Sequence, residues 1–210
     1  MEWIREGEVS FPRTPGEPDS VRAWRPWVLE EADGTLRMWY TASDGTTSRI
    51  LTAVRPPGGT WGRAAMAIDA GFAGDSDFYG AESPCVVKTP GVYLMVYGGF
   101  DGEVGRLHMA TSEDSHRWDS QGTIMQRGPE DAGGPNHPRL LMTGERWWLF
   151  YTGVCRLERR SALGARRGGL SDGSLLGPGR DGLGAGAGRN RGVAPLCARR
   201  LEDDLHVPRK

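Results

Sequence analysis

The sequence predicts an all-β fold made of repeated propeller-type blades, and two observations support this prediction. First, short segments rich in Val, Leu, Met and Tyr are separated by Gly, Pro and Asp turns, as in meanders of antiparallel strands. The stretch from Ala81 to Trp118 contains three such segments. Second, Trp3, Trp61 and Trp118 are spaced by 58 and 57 residues, and each marks the same place in a repeated pattern. A repeat of this length with about four strands is typical of a propeller blade.

Five further landmarks keep one register in every repeat. An Asp lies three residues after a Gly, and a Pro lies seven residues after that Asp. A Tyr closes the next strand, and an Arg lies nine residues beyond the Tyr. In chain order the landmarks are Gly16, Gly74 and Gly128; Asp19, Asp77 and Asp131; Pro26, Pro84 and Pro138; Tyr40, Tyr97 and Tyr151; and Arg49, Arg106 and Arg160. The blades are therefore predicted to begin near the three landmark glycines.

The strands of each blade follow from these landmarks. The segment from Trp3 to Phe11 alternates well enough to be a strand, either the closing strand of a ring or a frayed terminal strand. An outer strand after Trp61 completes the first blade. The other predicted strands are Trp27–Leu29, Leu36–Thr41 and Ile50–Val54 in the first blade; Cys85–Val87, Val92–Tyr97, Leu107–Ala110 and Gly122–Met125 in the second; and Arg139–Met142, Trp147–Tyr151 and Arg160–Leu163 in the third.

The register of the repeat is lost after Gly153. The next blade Trp is expected at Asp172, and from about Ala165 the chain is rich in Arg, Gly, Ala, Leu and Pro. We therefore divide the chain into an incomplete propeller at residues 1–164 and a low-complexity segment at residues 165–210, which is expected to be disordered. We interpret this segment as the product of a lost coding frame. A flexible linker and an Arg/Gly tail for nucleic acid are the alternatives.

Two complete blades and part of a third are fewer than the four or more that close a propeller. An open arc leaves sheet faces and strand edges uncovered. The chain is therefore expected to be a fragment of a longer propeller, or to associate with itself through its unclosed sheet edges.

Composition limits the cellular setting and the cofactors. The formal net charge is −1, but residues 1–154 carry 14 basic and 21 acidic side chains. The three cysteines have no metal-ligand spacing and favour a reducing compartment, and the charged N-terminus lacks a signal-peptide pattern. No segment approaches the roughly 20 apolar residues that span a bilayer. We therefore expect a cytoplasmic protein without membrane or nucleic-acid partners, without a metal site and without a cofactor.

The repeat provides an internal control for functional residues, because features common to all blades are best explained by blade architecture. Asp19, Asp77 and Asp131 are therefore interpreted as residues that hold the loop before the inner strand, with a catalytic role as the alternative. Inner strands begin at the mouth of the central channel, where side chains that differ between blades are expected to converge. The differing residues are Trp24-Arg25, Glu82-Ser83, Asn136-His137 and Arg139. A carboxyl group, an aromatic platform and fork-shaped donors suit a sugar.

The blade sequences resemble those of the five-bladed β-propeller glycosidases, a group that includes arabinanases, β-xylosidases, invertases, levansucrases and β-mannoside phosphorylases. The resemblance covers about residues 1–165 and is carried by Glu82 to Val87, Leu94 to Gly99 and the segment from Ala110 to Trp118. It implies a partial five-bladed propeller of about three blades.

The resemblance also implies catalytic roles. Glu82, in its Glu-x-Pro setting, matches the general acid of the group. The Asp that the group places directly before an early proline is replaced by Arg25. Because glycoside hydrolysis needs two carboxyl groups, Asp19 or Asp77 would have to supply the second, unless it lies in blades absent from this chain.

Together these features predict a glycosidase-like hydrolase that acts on a glycoside and is incomplete and inactive in its present form. The alternative is a non-catalytic carbohydrate-binding propeller fragment that has lost the second carboxyl group. The predicted catalytic residues are Glu82, Asp19 and Asp77, and the predicted substrate-binding residues are Trp24, Arg25, His137 and Arg139.

Overall fold

The computed structural model describes residues 2–4, 7, 9, 11, 14–129, 131–143, 146–153 and 196–201. These residues form eleven β-strands and no helix, in agreement with the predicted all-β class. Nothing in the described ranges could therefore cross a membrane as a long apolar helix.

The first sheet is a four-stranded antiparallel meander whose strands lie where the first blade was predicted. They are β1 (Arg22–Glu30), β2 (Leu36–Ser43), β3 (Ser48–Arg55) and β4 (Gly62–Ile68). Trp39 and Tyr40 are neighbours in β2 and point to opposite faces of the sheet, yet both are almost fully buried. Both faces of the sheet are therefore covered at this strand.

The second sheet repeats the strand order of the first. Its strands are β5 (Gly80–Thr89), β6 (Val92–Phe100), β7 (Gly105–Ser112) and β8 (Asp119–Met125), again an antiparallel meander. One parallel bridge, between Ser48 and Gly80, joins the third strand of the first sheet to the inner strand of the second.

The third sheet has three described strands. They are β9 (Pro135–Thr143), β10 (Arg146–Gly153) and β11 (Leu196–Leu201), and both neighbours of β10 pair with it in antiparallel fashion. The sequence does not predict β11, which belongs to the segment expected to be disordered. The open edge of β10 would present unpaired backbone N–H and C=O groups, and β11 pairs with these groups. The rest of residues 165–210 and the predicted strand Arg160–Leu163 lie outside the described residues.

The prediction of an N-terminal strand is wrong for the part of it that the structure describes. None of the described residues between Trp3 and Phe11 belongs to a strand, and the Trp3 side chain is 90% exposed. Phe11 instead stacks on Tyr40, with 5.7 Å between the ring centroids. This stacking explains why an apolar residue stands at position 11, and it requires no backbone pairing.

Apolar side chains fill the spaces beside and between the sheets in three clusters. Their members include Trp39, Ile50, Val86, Met95 and Tyr97 between the first and second sheets; Cys85, Leu94, Val96, Leu140 and Leu149 between the second and third; and Met38, Tyr40 and Leu51, under Phe11 and Trp61, on the outer face of the first. The three sheets are therefore stacked face to face in the order of the chain.

In the first two sheets, the landmark tyrosine binds the landmark aspartate. Tyr40 donates its hydroxyl to Asp19 at 3.0 Å, and Tyr97 donates to Asp77 at 3.2 Å. Burial raises the pKa of both tyrosine hydroxyls, and the adjacent carboxylates raise it further. These two tyrosines therefore remain protonated and fasten the loop before the inner strand to the second strand in the first two sheets.

Candidate functional site

Each inner strand contains the same β-bulge close to its beginning. In β1 the pairing with β2 changes from Trp24 opposite Thr41 to Trp27 opposite Trp39, so one extra residue stands in the inner strand. Bulges bend a strand and re-aim the side chains beside them. The corresponding shifts lie between Glu82 and Cys85 in β5 and between Asn136 and Arg139 in β9.

The residue before the landmark proline has a positive φ in all three bulges. The values are 55° for Arg25, 56° for Ser83 and 52° for His137. Such a conformation costs a non-glycine residue about 1–3 kcal/mol, and it persists only where the surrounding structure holds it in place. The three sheets thus share one strained backbone feature at the point where their sequences differ most.

An ion pair connects the first two bulges. Arg25 donates through Nη1 to Oε2 of Glu82, and the same nitrogen donates to Oγ of Ser83 at 3.1 Å. The Ser83 backbone N–H in turn donates to Oγ1 of Thr41 at 2.9 Å. The Arg25 and Glu82 side chains are 31% and 27% exposed, so solvent or a ligand can reach the pair.

The third bulge places His137 beside this ion pair. Burial lowers the pKa of the His137 imidazole, the Arg25 guanidinium lowers it further, and the Glu82 carboxylate acts in the opposite direction. At neutral pH the ring is therefore uncharged and offers one donor and one acceptor. The Asn136 side chain caps the bulge, because its Oδ1 accepts the His137 backbone N–H at 2.7 Å.

The residues directly after the landmark prolines also meet. The Arg139 guanidinium lies over the indole of Trp27, 5.1 Å from the ring centroid. Trp27 donates its Nε1–H to the carbonyl oxygen of Val86 at 2.6 Å, which fixes the orientation of the indole. Cys85, the equivalent residue of the second sheet, accepts the Leu140 backbone N–H on its sulfur at 3.1 Å.

The structure thus brings together four of the seven predicted site residues, namely Arg25, Glu82, His137 and Arg139. Trp24 precedes Arg25 in the chain and is partly exposed, and the guanidinium of Arg22 lies 5.5 Å from its ring centroid.

The two aspartates predicted as further catalytic groups lie elsewhere. Asp19 is 3% exposed and accepts hydrogen bonds from Arg63, at 2.8 Å to Nη2, and from Tyr40. These contacts lie on the face of the first sheet that is turned away from the second. Asp77 binds Tyr97, and neither aspartate forms a hydrogen bond with Glu82. Their contacts support the structural interpretation of both.

Asp77 borders a separate cleft of about 590 Å³ between the first two sheets. Its wall includes His108, which is stacked on Tyr97 and lies 3.3 Å from Ser76, measured from Nε2 to Oγ. Burial lowers the pKa of the His108 imidazole, while Asp77 opposes that change. A neutral, ring-stacked histidine with one hydroxyl partner is typical of a satisfied core residue.

Two further observations concern a metal site and the Cys85 thiol. Among the described residues, no set of three or more His, Cys, Asp and Glu side chains could hold a metal ion. Burial raises the pKa of the Cys85 thiol to about 11, so this thiol stays protonated at neutral pH and is a poor nucleophile.

Solved structures share this fold, whereas no protein-family model and no curated protein matches the sequence. A thermostable family-43 glycoside hydrolase matches with 19% identity and a TM-score of 0.53, over 62% of this chain and 48% of that protein. A family 117 glycoside hydrolase from the marine bacterium Zobellia galactanivorans matches with 16% identity and a TM-score of 0.52, over 62% and 47%. An endo-1,4-β-xylanase from Bacteroides thetaiotaomicron matches with 16% identity and a TM-score of 0.50, over 62% and 48%.

The fold is that of the five-bladed propeller glycosidases. The chain spans about half the length of these structures, and its three sheets correspond to about three blades of the propeller. Because all identities are below 25%, the similarity establishes the propeller fold and leaves the activity to the chemistry of the site.

Two contributors to the site were not predicted from the sequence. Thr41 follows a landmark tyrosine, and Trp27 follows a landmark proline, so both occupy positions that the repeat defines. A comparison of these positions between blades could have singled them out. Their contacts with Ser83 and Arg139 depend on how the sheets stack, which the sequence pattern does not give.

Proposed function

We propose that this chain is a glycosidase-like propeller that binds a glycoside at the start of its inner strands, with Glu82 as the proton donor to the leaving oxygen. The observation that supports this proposal is the placement of Glu82 on the bulge of β5, where its side chain is partly exposed. A general acid must reach the glycosidic oxygen and must be held in one orientation. The neighbouring His137 and Arg139 supply donors for the hydroxyl groups of the sugar.

The proposal is limited by the need for a second carboxyl group. Retaining and inverting glycosidases both use two carboxyl groups, separated by about 5 to 10 Å. At the equivalent bulges, the first sheet offers Arg25 and the third sheet offers His137. We therefore propose that this chain can protonate a leaving group but lacks the residue that attacks the sugar or activates water, and that its turnover is low.

One observation favours a second candidate function, carbohydrate binding without turnover. Arg25 occupies Oε2 of Glu82, so that oxygen already has a partner. A site in which the acid is paired in this way holds a sugar without transferring a proton to it.

The test is hydrolysis of a panel of aryl glycosides by the 210-residue chain and by Glu82→Gln. If Glu82 is the proton donor, the variant loses any turnover by about 10²-fold or more. Glu30→Gln is a matched control, because Glu30 is exposed at the far end of β1. Turnover that survives in Glu82→Gln would exclude the proposed role, and sugar binding without turnover in the parent chain would establish the second candidate.

A further inference from the structure

The charges at the start of the inner strands do not balance. Arg25 and Arg139 contribute two guanidinium groups, whereas Glu82 contributes one carboxylate, which is paired with Arg25. Arg139 has no carboxylate partner within the described part of the chain, and its Nη1 donates to the carbonyl oxygen of Pro138 at 2.7 Å. His137 is uncharged at neutral pH. One guanidinium is therefore left without a counter-charge.

This imbalance differs from the pattern at most other arginines of the first two sheets. Four arginines of the first two sheets have acidic partners, namely Arg37, Arg49, Arg63 and Arg106. Residues 1–154 as a whole carry more acidic than basic side chains, 21 against 14. An excess of positive charge confined to one place in an acidic region attracts anions to that place.

The geometry of Arg139 suits a carboxylate in particular. Its guanidinium is held over the Trp27 indole, and the Trp27 ring is itself fixed by its hydrogen bond to Val86. Only Nη1 of the guanidinium has a hydrogen-bond acceptor among the described residues. The other N–H groups of this planar fork are free for a bidentate pair with a carboxylate.

We infer that the sugar bound at this site is acidic, a uronic acid whose carboxylate pairs with Arg139; this inference rests on the carbohydrate ligand proposed above. The neutral imidazole of His137, which has no hydrogen-bond partner on its ring among the described residues, binds a ring hydroxyl.

The experiment is a calorimetric titration of the 210-residue chain with two pairs of ligands at low ionic strength. Methyl glucuronide is compared with methyl glucoside, and methyl galacturonide with methyl galactoside, so that each pair differs only in a carboxylate or a hydroxymethyl group. We expect the acidic member of at least one pair to bind about tenfold more tightly, the equivalent of about 1.4 kcal/mol. The preference should shrink as salt is added.

Because Arg139 is exposed, its replacement should leave folding intact, and its variants therefore test ligand binding. Arg139→Gln should remove the preference for the acidic ligand, and Arg139→Lys should retain part of it, because lysine keeps the charge but not the planar fork. Arg146→Gln is the matched control, since Arg146 is exposed at the start of β10 and pairs with Thr143, the last residue of β9. It should leave the preference unchanged.

The outcomes separate this inference from the proposed function. Equal affinity for the acidic and neutral members of both pairs would overturn the inference and leave a neutral carbohydrate ligand standing. A third titration, with inorganic phosphate, identifies a general anion site if phosphate binds more tightly than either uronide, and this result would also overturn the inference. If none of the four sugars binds, the proposed function is contradicted as well.

Discussion

At the scale of single residues, charged pairs close the turns between the second and third strands of the first two sheets. Arg49 contacts Asp44 at 2.8 Å, from Nη1 to Oδ2, and Arg106 forms the same contact with Asp101. Asp101 also accepts the backbone N–H of Val104 at 2.8 Å. In the first two sheets the landmark arginine therefore recurs because it holds the turn aspartate, a role that the sequence repeat shows without explaining.

These contacts give the turn a dependence on pH that Asp101→Asn should reveal. Burial alone would raise the pKa of the Asp101 carboxyl, but Arg106 and the turn N–H groups lower it to about 2, below its ordinary value of 3.8. Because the folded-state pKa is depressed, the stabilisation is present above about pH 4 and is lost as the pH falls towards 2. We expect the variant to melt about 2–4 °C lower at pH 7 and to approach the parent chain at pH 2.

Thermal unfolding followed by circular dichroism at pH 7, 4 and 2 measures this effect. Asp119→Asn is the control, because Asp119 is exposed in β8 and its carboxylate has no partner among the described residues. A melting difference for Asp101→Asn that stays constant from pH 7 to pH 2 would rule out the ion pair as its cause.

At the scale of elements, the junction between the second and third sheets is defined by a very close approach of two backbones. Gly134 has a φ of +95°, and a Cβ atom placed there would lie 2.0 Å from the carbonyl oxygen of Gly105. The Gly105 N–H also donates to the carbonyl oxygen of Gly133 at 3.0 Å. Gly80, the equivalent of Gly134 in the second sheet, makes the same kind of approach to Ser48.

We therefore expect Gly134→Ala to be strongly destabilising. The methyl group meets rigid backbone and also requires a positive φ, so the cost should be about 2–4 kcal/mol in the free energy of unfolding. Gly122→Ala separates the two causes, since Gly122 has a φ of +83° with nothing within 4 Å of the added Cβ, and should cost only about 1 kcal/mol. Equal losses in the two variants, measured by urea denaturation, would show that the close approach contributes nothing.

Much of the element structure could be predicted from the repeat, because the strands β1 to β10 lie where apolar segments alternate with turn residues. The bulges could not be predicted. An Arg, Ser or His before a proline gives no sign of a positive φ, and the extra residue becomes visible only when the partner strand fixes the register. The strand β11 was also missed, because its sequence, LCARRL, belongs to an Arg-rich segment without blade landmarks.

At the scale of the whole molecule, the three stacked sheets should unfold together. Leu149 is fully buried between the second and third sheets. Leu149→Ala should lower the free energy of unfolding by about 2–5 kcal/mol while a single transition is kept. Leu141→Ala in the same sheet is the control, because Leu141 is 49% exposed, and it should cost less than about 1 kcal/mol. An early, separate transition in Leu149→Ala would contradict cooperative unfolding of the three sheets.

The whole-molecule prediction depended on counting repeats, which gave the all-β class and the number of blades. The convergence of the residues ahead of the landmark prolines followed from the same count, because equivalent positions in stacked sheets lie near one another. The ion pair between Arg25 and Glu82 did not follow from it. The pairing of Asp19 with Arg63 could not be predicted in this way. It joins the loop before β1 to β4, and no landmark of the repeat marks Arg63 as a partner.

The shared bulge has a consequence for how new specificities can arise on this scaffold. Its backbone geometry tolerates arginine, serine and histidine alike, so the dipeptide ahead of each proline can be rewritten without disturbing the surrounding strands. Three short cassettes, one per sheet, would then contribute to which ligand is recognised, together with the residue after each proline. Exchanging them between sheets offers protein engineers a compact library whose members keep the same framework.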